Sequence, residues 1–323
     1  MTETRYIKVI AQALDEEMER DPSVFIIGED VAASGGAFGG TRGLLEKYGP
    51  RRVRDTPISE AAIMGVALGA ALKGLRPVVE IMFSDFLPMC MDGIVNQIAK
   101  TRYMFGGQFS APLVIRAAGG AGLNAGPQHS QSLEAWFAHV PGLKVVVPSD
   151  PYDAKGLLKA AIRDDNPVLF LENKALYAMK GDVPDEEYVL PIGKAAVKRQ
   201  GSDVTIVSLS RMVGQCLKAA ETLAGRGIEA EVIDLRSVSP IDKQAIFDSV
   251  AKTSRLVIAH EAVKTAGIGA EISAMVSEEM IDRLDGPVVR VGSPFAPVPF
   301  ALEKEYLPDT ADVVRAVEQV LAY

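Results

Sequence analysis

Short apolar runs alternate with helical segments along nearly the whole chain. In the first half, runs with the length and composition of buried strands occupy 24–27, 77–83, 112–117, 144–147 and 167–172. Helical periodicity fills 4–20, about 85–103 and 151–163. Strands separated by helices pair in parallel, because the chain must cross back over the sheet before each new strand begins. The alternation therefore predicts an α/β fold with a mostly parallel sheet covered by helices on both faces.

The second half repeats this alternation on a smaller scale. Strands at 204–209, 230–235, 256–260 and 288–291 alternate with helices at 213–225, 242–251, 268–283 and 311–322. Between the halves, the polar and proline-punctuated stretch KGDVPDEEYVLP interrupts the pattern, as domain boundaries do. We therefore predict a first domain at 1–185 and a smaller α/β domain at 186–323.

Composition narrows the classes of function. The 323 residues carry a formal net charge of −8 and lack the clustered Lys and Arg that a nucleic-acid surface needs. Cys90 and Cys216 stand alone, without a CxxC or Cys/His spacing, so neither a disulfide framework nor a structural metal site is predicted. The N-terminal helix carries charges throughout, unlike a signal peptide, and no apolar run approaches membrane-spanning length. We expect a cytoplasmic protein, with an organelle matrix as the alternative if a presequence has been removed.

The segment DTPISEAAIMGVALGAALKG (55–74) predicts a helix built almost wholly of small and apolar residues. Ser59 is placed to cap its first turn through its hydroxyl, which puts Glu60 at the helix N-terminus. Gly65 and Gly69 lie about one turn apart and leave a groove that another backbone could approach closely. On the residues alone, a buried core helix with a capping or solvated glutamate is the favoured interpretation.

Three side chains are candidates for chemistry. Glu29 follows the first predicted strand, Glu60 begins a helix, and His129 lies in the loop GGAGLNAGPQHSQS after the third predicted strand. Ligands bind at the carboxyl ends of parallel strands, so these residues predict a carboxylate and an imidazole in a cleft. His139 and His260 are more typical of structural positions, although His260 ends a strand. A second glycine-rich segment, ASGGAFGGTRG, lacks the ending of a phosphate-binding loop and predicts a mobile loop.

The chain also resembles a known family over nearly its whole length and in colinear order. The resemblance is carried by GEDVA (28–32), DTPISE (55–60) with the helix after it, GLRPVVEIMF (74–83), RYMFGG (102–107), GPQHSQSLEAWF (126–137), PGLKVVVPSDPYDAKGLLKAAIRDDNPVLFLE (141–172) and PFAPVPFALEKEYLP (294–308). These segments resemble the β subunit of the thiamine-diphosphate-dependent decarboxylating component of 2-oxo acid dehydrogenase complexes. That group includes pyruvate, branched-chain 2-oxo acid and acetoin dehydrogenases.

The resemblance implies a transketolase-like division of labour. The first domain would bind the pyrimidine side of thiamine diphosphate, and the second would be a smaller α/β domain of the transketolase C-terminal type. An α subunit would hold the diphosphate and magnesium in an α2β2 heterotetramer. The chain lacks the GDG-and-Asn signature of that half, so it should be inactive alone. A lipoyl-bearing acyltransferase is the other implied partner, with the second domain and its proline-rich tail helping to bind it.

The resemblance also implies roles for individual residues. Glu60 matches the glutamate that hydrogen-bonds the aminopyrimidine ring, where a shared proton helps to activate the thiazolium carbon. Phe86 matches an aromatic residue that packs near the pyrimidine, and Tyr103 would help to line the site. His129 matches the histidine of reductive acylation, which would donate a proton to the dithiolane of the lipoyl group. Glu29 would join a chain of acidic groups between paired active sites, or simply cap a neighbouring helix.

The segment AAIRDDNP (160–167) matches a structural potassium site of the same family, built mainly from backbone carbonyls. A metal-free turn at the end of a helix is the alternative. The residues that would form the site are Leu113, Ala161, Ile162, Asp164 and Asn166.

Several alternatives stay open at this point. The substrate would be pyruvate, acetoin or a longer 2-oxo acid, because the α subunit also shapes the pocket; FSDFLPMCMD and RYMFGG resemble the acetoin and pyruvate types somewhat more. A split transketolase would share the fold, and a non-catalytic scaffold subunit is the alternative outside enzymes. The segment GPQHSQS favours lipoyl transfer, and Glu60 and His129 argue against a scaffold. Pro88 and Gly93 depart from the family pattern, so the backbone near Phe86 is expected to differ locally.

Overall fold

The computed structural model describes residues 1–323, the whole chain. Its first half contains strands and helices in alternation. The strands are β1 (Thr2–Arg5), β2 (Val24–Gly28), β3 (Val53–Asp55), β4 (Arg76–Ile81), β5 (Val114–Gly119), β6 (Lys144–Val146), β7 (Val168–Asn173) and β8 (Lys180–Val183). The helices are α1 (Tyr6–Arg20), α2 (Leu44–Tyr48), α3 (Glu60–Leu72), α4 (Thr101–Met104), α5 (Glu134–Ala138) and α6 (Pro151–Arg163).

The second half adds a smaller set of elements. Its strands are β9 (Ala196–Arg199), β10 (Val204–Ser208), β11 (Ala230–Asp234), β12 (Ser237–Ser239), β13 (Leu256–Val263) and β14 (Val289–Ser293). Its helices are α7 (Arg211–Ala224), α8 (Lys243–Thr253), α9 (Ile268–Met280), α10 (Glu303–Tyr306) and α11 (Thr310–Leu321). None of the helices combines the length and the apolar character that a membrane crossing requires.

Two mostly parallel sheets form the architecture, as the alternation predicts. The first has seven strands in the order β12-β6-β7-β5-β4-β2-β3, and only β12 runs antiparallel to its neighbour. The second has five strands in the order β14-β13-β10-β11-β9, with β9 antiparallel to β11. The inner strands β2, β5 and β7 are buried at every residue, because helices cover both faces of the first sheet. The predicted α/β fold class is confirmed.

Two stretches of the first half differ from the predicted elements. The helix expected over about 85–103 is broken into a 3₁₀ turn at Ser84–Cys90, a π-helix at Gly93–Ile98 and the short α4. Pro88 lies inside the 3₁₀ turn, and a Cβ on Gly93 would lie 3.0 Å from the Cβ of Met64 in α3. The first helix starts at Tyr6 and not at residue 4, because the residues before it pair with β8 as a two-stranded ribbon.

The two halves share a core and a sheet edge. One cluster of 38 buried residues contains side chains from both halves. Strand β12, from the second half, pairs with β6 of the first sheet. Asp153 of α6 accepts hydrogen bonds from Lys198 and Arg236, each 2.6 Å long. The boundary at 185/186 stays a prediction. The two halves are joined by the shared core, the pairing of β12 with β6 and the hydrogen bonds of Asp153.

The segment ASGGAFGGTRG, whose composition predicts a mobile loop, makes close contacts with the first sheet. It packs against Arg116, which is buried in the first sheet. The Arg116 guanidinium forms ion pairs with the Glu80 and Glu172 carboxylates, with N···O distances of 2.7 Å in both cases. Gly36 and Gly40 make this approach possible, because a Cβ on them would lie 2.9 Å from Glu80 Oε1 and 3.2 Å from Arg116 Nη2. Burial raises the pKa of Glu80, although Arg116 opposes the shift.

Candidate active site

The predicted site residues lie at one edge of the first sheet. Glu29 directly follows β2, Phe86 lies in the turn after β4, and His129 lies in the loop after β5. Strands β2, β4 and β5 are parallel neighbours, so their carboxyl ends meet at the same edge. Glu60 begins α3, which follows β3 at the end of this sheet. The topology therefore explains why residues far apart in the sequence face a common region.

His129 packs among aromatic rings. Its ring lies 4.8 Å from that of Phe83 and 5.4 Å from that of Phe86, edge to face in both cases. Phe83 also contacts Phe38 of the glycine-rich segment, with 5.6 Å between the ring centroids. The structure thus brings His129 and Phe86 into contact, and it adds Phe83 and Phe38, which sequence reasoning missed. Phe83 stands in a quoted family segment, but nothing local in the sequence points to Phe38.

Glu29 and Glu60 lie near each other at this edge of the sheet, close enough for their charges to interact. Burial raises the pKa of Glu29, and the charge of Glu60 raises it further, while the Ser59 backbone N–H opposes both. Oε1 of Glu29 is buried without a hydrogen-bond partner. Burial also raises the pKa of the Cys90 thiol to about 12, with a smaller contribution from Glu60. A buried carboxylate oxygen without a donor fits a site that a cofactor or partner completes.

Ser59 caps α3 in a different way from the one predicted. It occupies the N-cap position, but its hydroxyl makes no capping hydrogen bond; its carbonyl accepts from the Ile63 N–H at 3.0 Å. The inward face of α3 packs through Ile63, Met64, Ala67 and Ala71. The opposite face is open, since a Cβ on Gly65 or Gly69 would meet no atom within 4 Å. In this chain α3 is therefore a half-covered helix and not a core helix.

Tyr103 and the two remaining histidines differ in how far they are buried. Tyr103 is 89% exposed on α4, and its ring forms no pair with Phe83, Phe86 or His129. His260 is fully buried, as a structural role predicts, and burial lowers its pKa to about 4. His139 is exposed at the end of α5, so the prediction of a structural position is wrong there.

The predicted potassium ligands lie together where α6 ends and β7 begins. Nη1 of Arg76 donates to the carbonyl oxygens of both Ile162 and Asp164, at 3.0 Å each. The Ala161 carbonyl accepts from the Asp164 N–H, and the Leu113 carbonyl from the Val168 N–H. Asn166 donates through both its backbone N–H and its side chain to the Asp164 carboxylate. Each carbonyl oxygen has a second lone pair, so the set fits a hard cation, while Arg76 already places a positive charge there.

The loop that carries His129 is held at its base by buried polar groups. The Gly120 N–H donates to the Gln131 carbonyl at 3.0 Å, which closes the loop on itself. Asp85 accepts two hydrogen bonds from Gln131, and the buried Lys174 donates to the Gly120 carbonyl. Burial lowers the pKa of Lys174. Sequence reasoning missed Asp85 and Lys174, since each lies more than 40 residues from its partner.

Glu134 lies directly behind this loop, at the start of α5. Its carboxyl is buried, and burial raises its pKa to about 7; the Glu134 backbone N–H opposes this shift, and Glu261 adds to it. It lines a small cavity between the halves together with Ser84, Ser132, Asn173 and Glu261. Glu134 is therefore largely neutral in the folded protein below pH 7.

Comparison with known proteins identifies the two halves of the chain. The model of the transketolase pyrimidine-binding domain matches residues 2–180, and that of the transketolase C-terminal domain matches 193–313. A solved structure titled "Split gene transketolase, inactive beta4 tetramer" is similar with a TM-score of 0.82 and 27% identity, covering 98% of this chain and 97% of that one.

Sequence relatives are more similar still. The chain is 49% identical to the β subunit of acetoin:2,6-dichlorophenolindophenol oxidoreductase of Bacillus subtilis, over 97% of this chain and 95% of the relative. It is 51% identical to a mitochondrial pyruvate dehydrogenase E1 component subunit beta-2 of Oryza sativa, over 97% and 85%. It is 46% identical to the 2-oxoisovalerate dehydrogenase subunit beta of Bacillus subtilis over the full length of both.

Glu134→Gln tests the burial of a protonated carboxyl behind the loop. An unfolded glutamate loses its proton near about pH 4.3, whereas folded Glu134 keeps it up to about 7. The folded state binds more protons in this window, so Glu134 lowers the stability of the wild type as the pH rises through it. We expect the stability of Glu134→Gln relative to wild type to rise by about 3 kcal/mol between these pH values and then to level off.

Denaturation measured from pH 4.5 to 8 checks this expectation, with the exposed Glu278→Gln on α9 as the control. A stability difference for Glu134→Gln that is the same at every pH would contradict the assignment.

Proposed function

Because this chain belongs to the transketolase-type β subunits of the 2-oxo acid and acetoin dehydrogenases, we propose that it works with an α subunit as an oxidoreductase. The reaction is thiamine-diphosphate-dependent decarboxylation of a 2-oxo acid such as pyruvate, or cleavage of acetoin. The acyl group then passes to the lipoyl group of an acyltransferase.

One observation carries this proposal. A carboxylate at a helix start, Glu60, lies at the same sheet edge as an imidazole, His129, that is packed among aromatic rings. The edge is open, because the outer face of α3 beside Glu60 is uncovered. Such a half-enclosed arrangement suits a cofactor that lies between two subunits.

Thiamine diphosphate, when bound, would supply the nucleophilic carbon and the electron sink for decarboxylation. Glu60 would hold a proton at a pyrimidine nitrogen, and Phe86 would pack against the pyrimidine ring. Glu29, whose buried Oε1 has no partner, would accept a hydrogen bond that the completed site supplies. Tyr103, which this chain leaves exposed, would line the site only from within a subunit interface.

His129 would serve the second half of the reaction. Acyl transfer to the dithiolane would break its S–S bond: one sulfur would form a bond to the acyl carbon, and the other would leave as a thiolate. The imidazole would deliver a proton to that sulfur. The contacts with Phe83 and Phe86 keep the imidazole at the surface of the site and leave its nitrogens free of hydrogen bonds within this chain.

The surface offers places for both partners. The open face of α3 and the exposed Tyr103, Met104 and Phe105 would pack against the α subunit in an α2β2 heterotetramer. In the second half, Phe295 is 80% exposed on the proline-rich tail beside a groove of about 530 Å³ that Trp136 and Leu307 also line. This groove is suited to docking of the acyltransferase. We place the assembly in the cytoplasm.

A split transketolase is the second candidate, because the solved structure with that title has the same fold. Its reaction would transfer a ketol unit to an aldose and would need no lipoyl group. Assays of the complex with 2-oxo acids, acetoin and sugar phosphates therefore separate the two functions.

We also propose a structural potassium ion at the carbonyls of Leu113, Ala161, Ile162, Asp164 and Asn166. Although burial opposes it, Lys144 and Asn166 hold the pKa of Asp164 below its usual range, so a carboxylate lies beside the site at neutral pH. The ion would link the C-terminal end of α6 to the first sheet, because its ligands come from the end of α6 and the turn after it, and from Leu113, which directly precedes β5.

Glu60→Gln should abolish most cofactor-dependent turnover in the complex formed by co-expression with the α-type partner. The amide cannot relay the proton, and loss of an acid–base group typically lowers the rate by about 100-fold or more. The assay measures reduction of an artificial electron acceptor with each candidate substrate. Glu46→Gln, an exposed glutamate in the first turn of α2, is the matched control. Wild-type turnover in Glu60→Gln would disprove the role.

His129→Ala should separate the two half-reactions. We expect decarboxylation measured with an artificial acceptor to be retained, while acylation of a lipoyl domain falls by roughly 100-fold because the leaving sulfur is not protonated. His139→Ala, which changes an exposed histidine at the end of α5, should change neither rate. Equal loss in both assays would count against this assignment.

Potassium should raise the melting temperature. A ligand that binds only the folded state stabilises it by about 2.7 kcal/mol at 100 times its Kd. We expect a higher melting temperature in KCl than in choline chloride of equal ionic strength. Identical melting curves in the two salts would argue against the ion and leave Arg76 as the only cationic partner of the Ile162 and Asp164 carbonyls.

A further inference from the structure

The loop that carries His129 is fastened at both ends by one carboxylate from the second half of the chain. Oε1 of Glu261, on β13, accepts a hydrogen bond from the Ala121 N–H at 2.6 Å. The same oxygen accepts from the Ser132 hydroxyl at 3.3 Å. Ala121 begins the loop and Ser132 ends it, so Glu261 bridges its two ends.

The other carboxylate oxygen of Glu261 also accepts two hydrogen bonds. Oε2 accepts from Asn173 Nδ2 at 3.1 Å and from Arg211 Nε at 2.7 Å. The carboxylate is only 8% exposed, and hydrogen bonds to a buried charge are among the stronger ones. Gly120 permits this approach: its φ is +77°, and a Cβ there would lie 2.9 Å from Glu261 Oε1.

A second glutamate from the same half supports the loop near its middle. Oε2 of Glu303, on α10, accepts from the Asn124 N–H at 2.6 Å. Glu303 is buried, and its other oxygen has no partner. The second half therefore contacts the loop through two buried carboxylates. Two of the contacts, at Ala121 and Asn124, are to backbone N–H groups, which set the path of the chain.

His129 depends on that path. Its side chain makes no hydrogen bond within this chain and contacts the rings of Phe83 and Phe86 only by packing. Ring contacts limit where the imidazole lies, but the backbone decides how far it extends into the site. A shift of about 1 Å in a reacting group can cost roughly 100-fold in rate.

We propose that Glu261 is a positioning residue for His129: by joining both ends of the loop to the second half, it fixes the reach of the imidazole during acyl transfer to the lipoyl group. The assignment rests on the proposed function of His129. It gives the second half a part in the reaction itself, in addition to docking.

Glu261→Gln in the co-expressed complex tests this proposal, because the amide places a donor against Asn173 or Arg211 and weakens the bridge. Glu231→Gln is the matched control, since Glu231 is also buried in the second sheet and paired with a cation, Lys252. Hydrogen exchange of the amides in 120–132 is measured first. We expect exchange about tenfold or more faster in Glu261→Gln and unchanged in Glu231→Gln.

Kinetics then connect the loop to the reaction. We expect kcat for lipoyl acylation to fall by about 10- to 100-fold in Glu261→Gln, with the KM for the lipoyl domain and the artificial-acceptor rate retained. Unchanged exchange, equal exchange in both variants, or faster exchange with wild-type acylation would each overturn the proposal.

Failed assembly of the variant and failure of the proposed function can each be distinguished from failure of this proposal. If Glu261→Gln does not assemble, Ser132→Ala removes one contact of the bridge alone, and unchanged exchange of the loop in that variant would overturn the proposal. A wild-type complex that does not acylate lipoyl domains would refute the proposed function and with it the kinetic role of Glu261.

Discussion

The arrangement of the site depends on the buried ion pairs that Arg116 forms with two glutamates. Arg116 pairs with Glu80 and Glu172, so it joins the adjacent strands β4, β5 and β7 in the middle of the first sheet. Removing one partner from such a group typically costs about 3–5 kcal/mol, because a charge is left buried and unpaired. The glycine-rich segment wraps around this cluster, and its Phe38 lies between Tyr177, whose hydroxyl donates to Glu172, and Phe83, which contacts His129. An ion pair in the sheet thus supports the aromatic wall of the site.

The sequence predicted the elements whose own residues carry a clear apolar pattern. Strands such as β2 and β5 and helices such as α1 and α6 have enough apolar residues at regular spacing to identify them within a few residues. The missed strands are short and depend on distant partners: β1 pairs with β8, about 180 residues away. The broken helix around Pro88 was missed for a different reason, since its helical residues continue through the 3₁₀ turn and the π-helix.

The same distinction holds for the site. Glu29, Glu60, Phe86 and His129 lie in recognisable segments, so their meeting at one edge followed from the parallel order of the strands. Glu261, Asp85 and Lys174 could not be predicted, because their partners in the loop are between about 45 and 140 residues away and only the folded chain brings them together. Tyr103 shows the remaining limit. This residue is 89% exposed, so its surroundings within this chain cannot show whether it lines the site.

Strand β12 has a consequence for how this chain can be divided. It belongs to the second half in sequence but completes the edge of the first sheet beside β6. A fragment ending near the boundary would expose the backbone of β6 as an unpaired edge, which invites strand addition from other molecules. Recombining halves from different relatives would likewise graft a foreign edge strand onto the sheet that carries the site. Engineering should therefore keep β6 and β12 together in one chain.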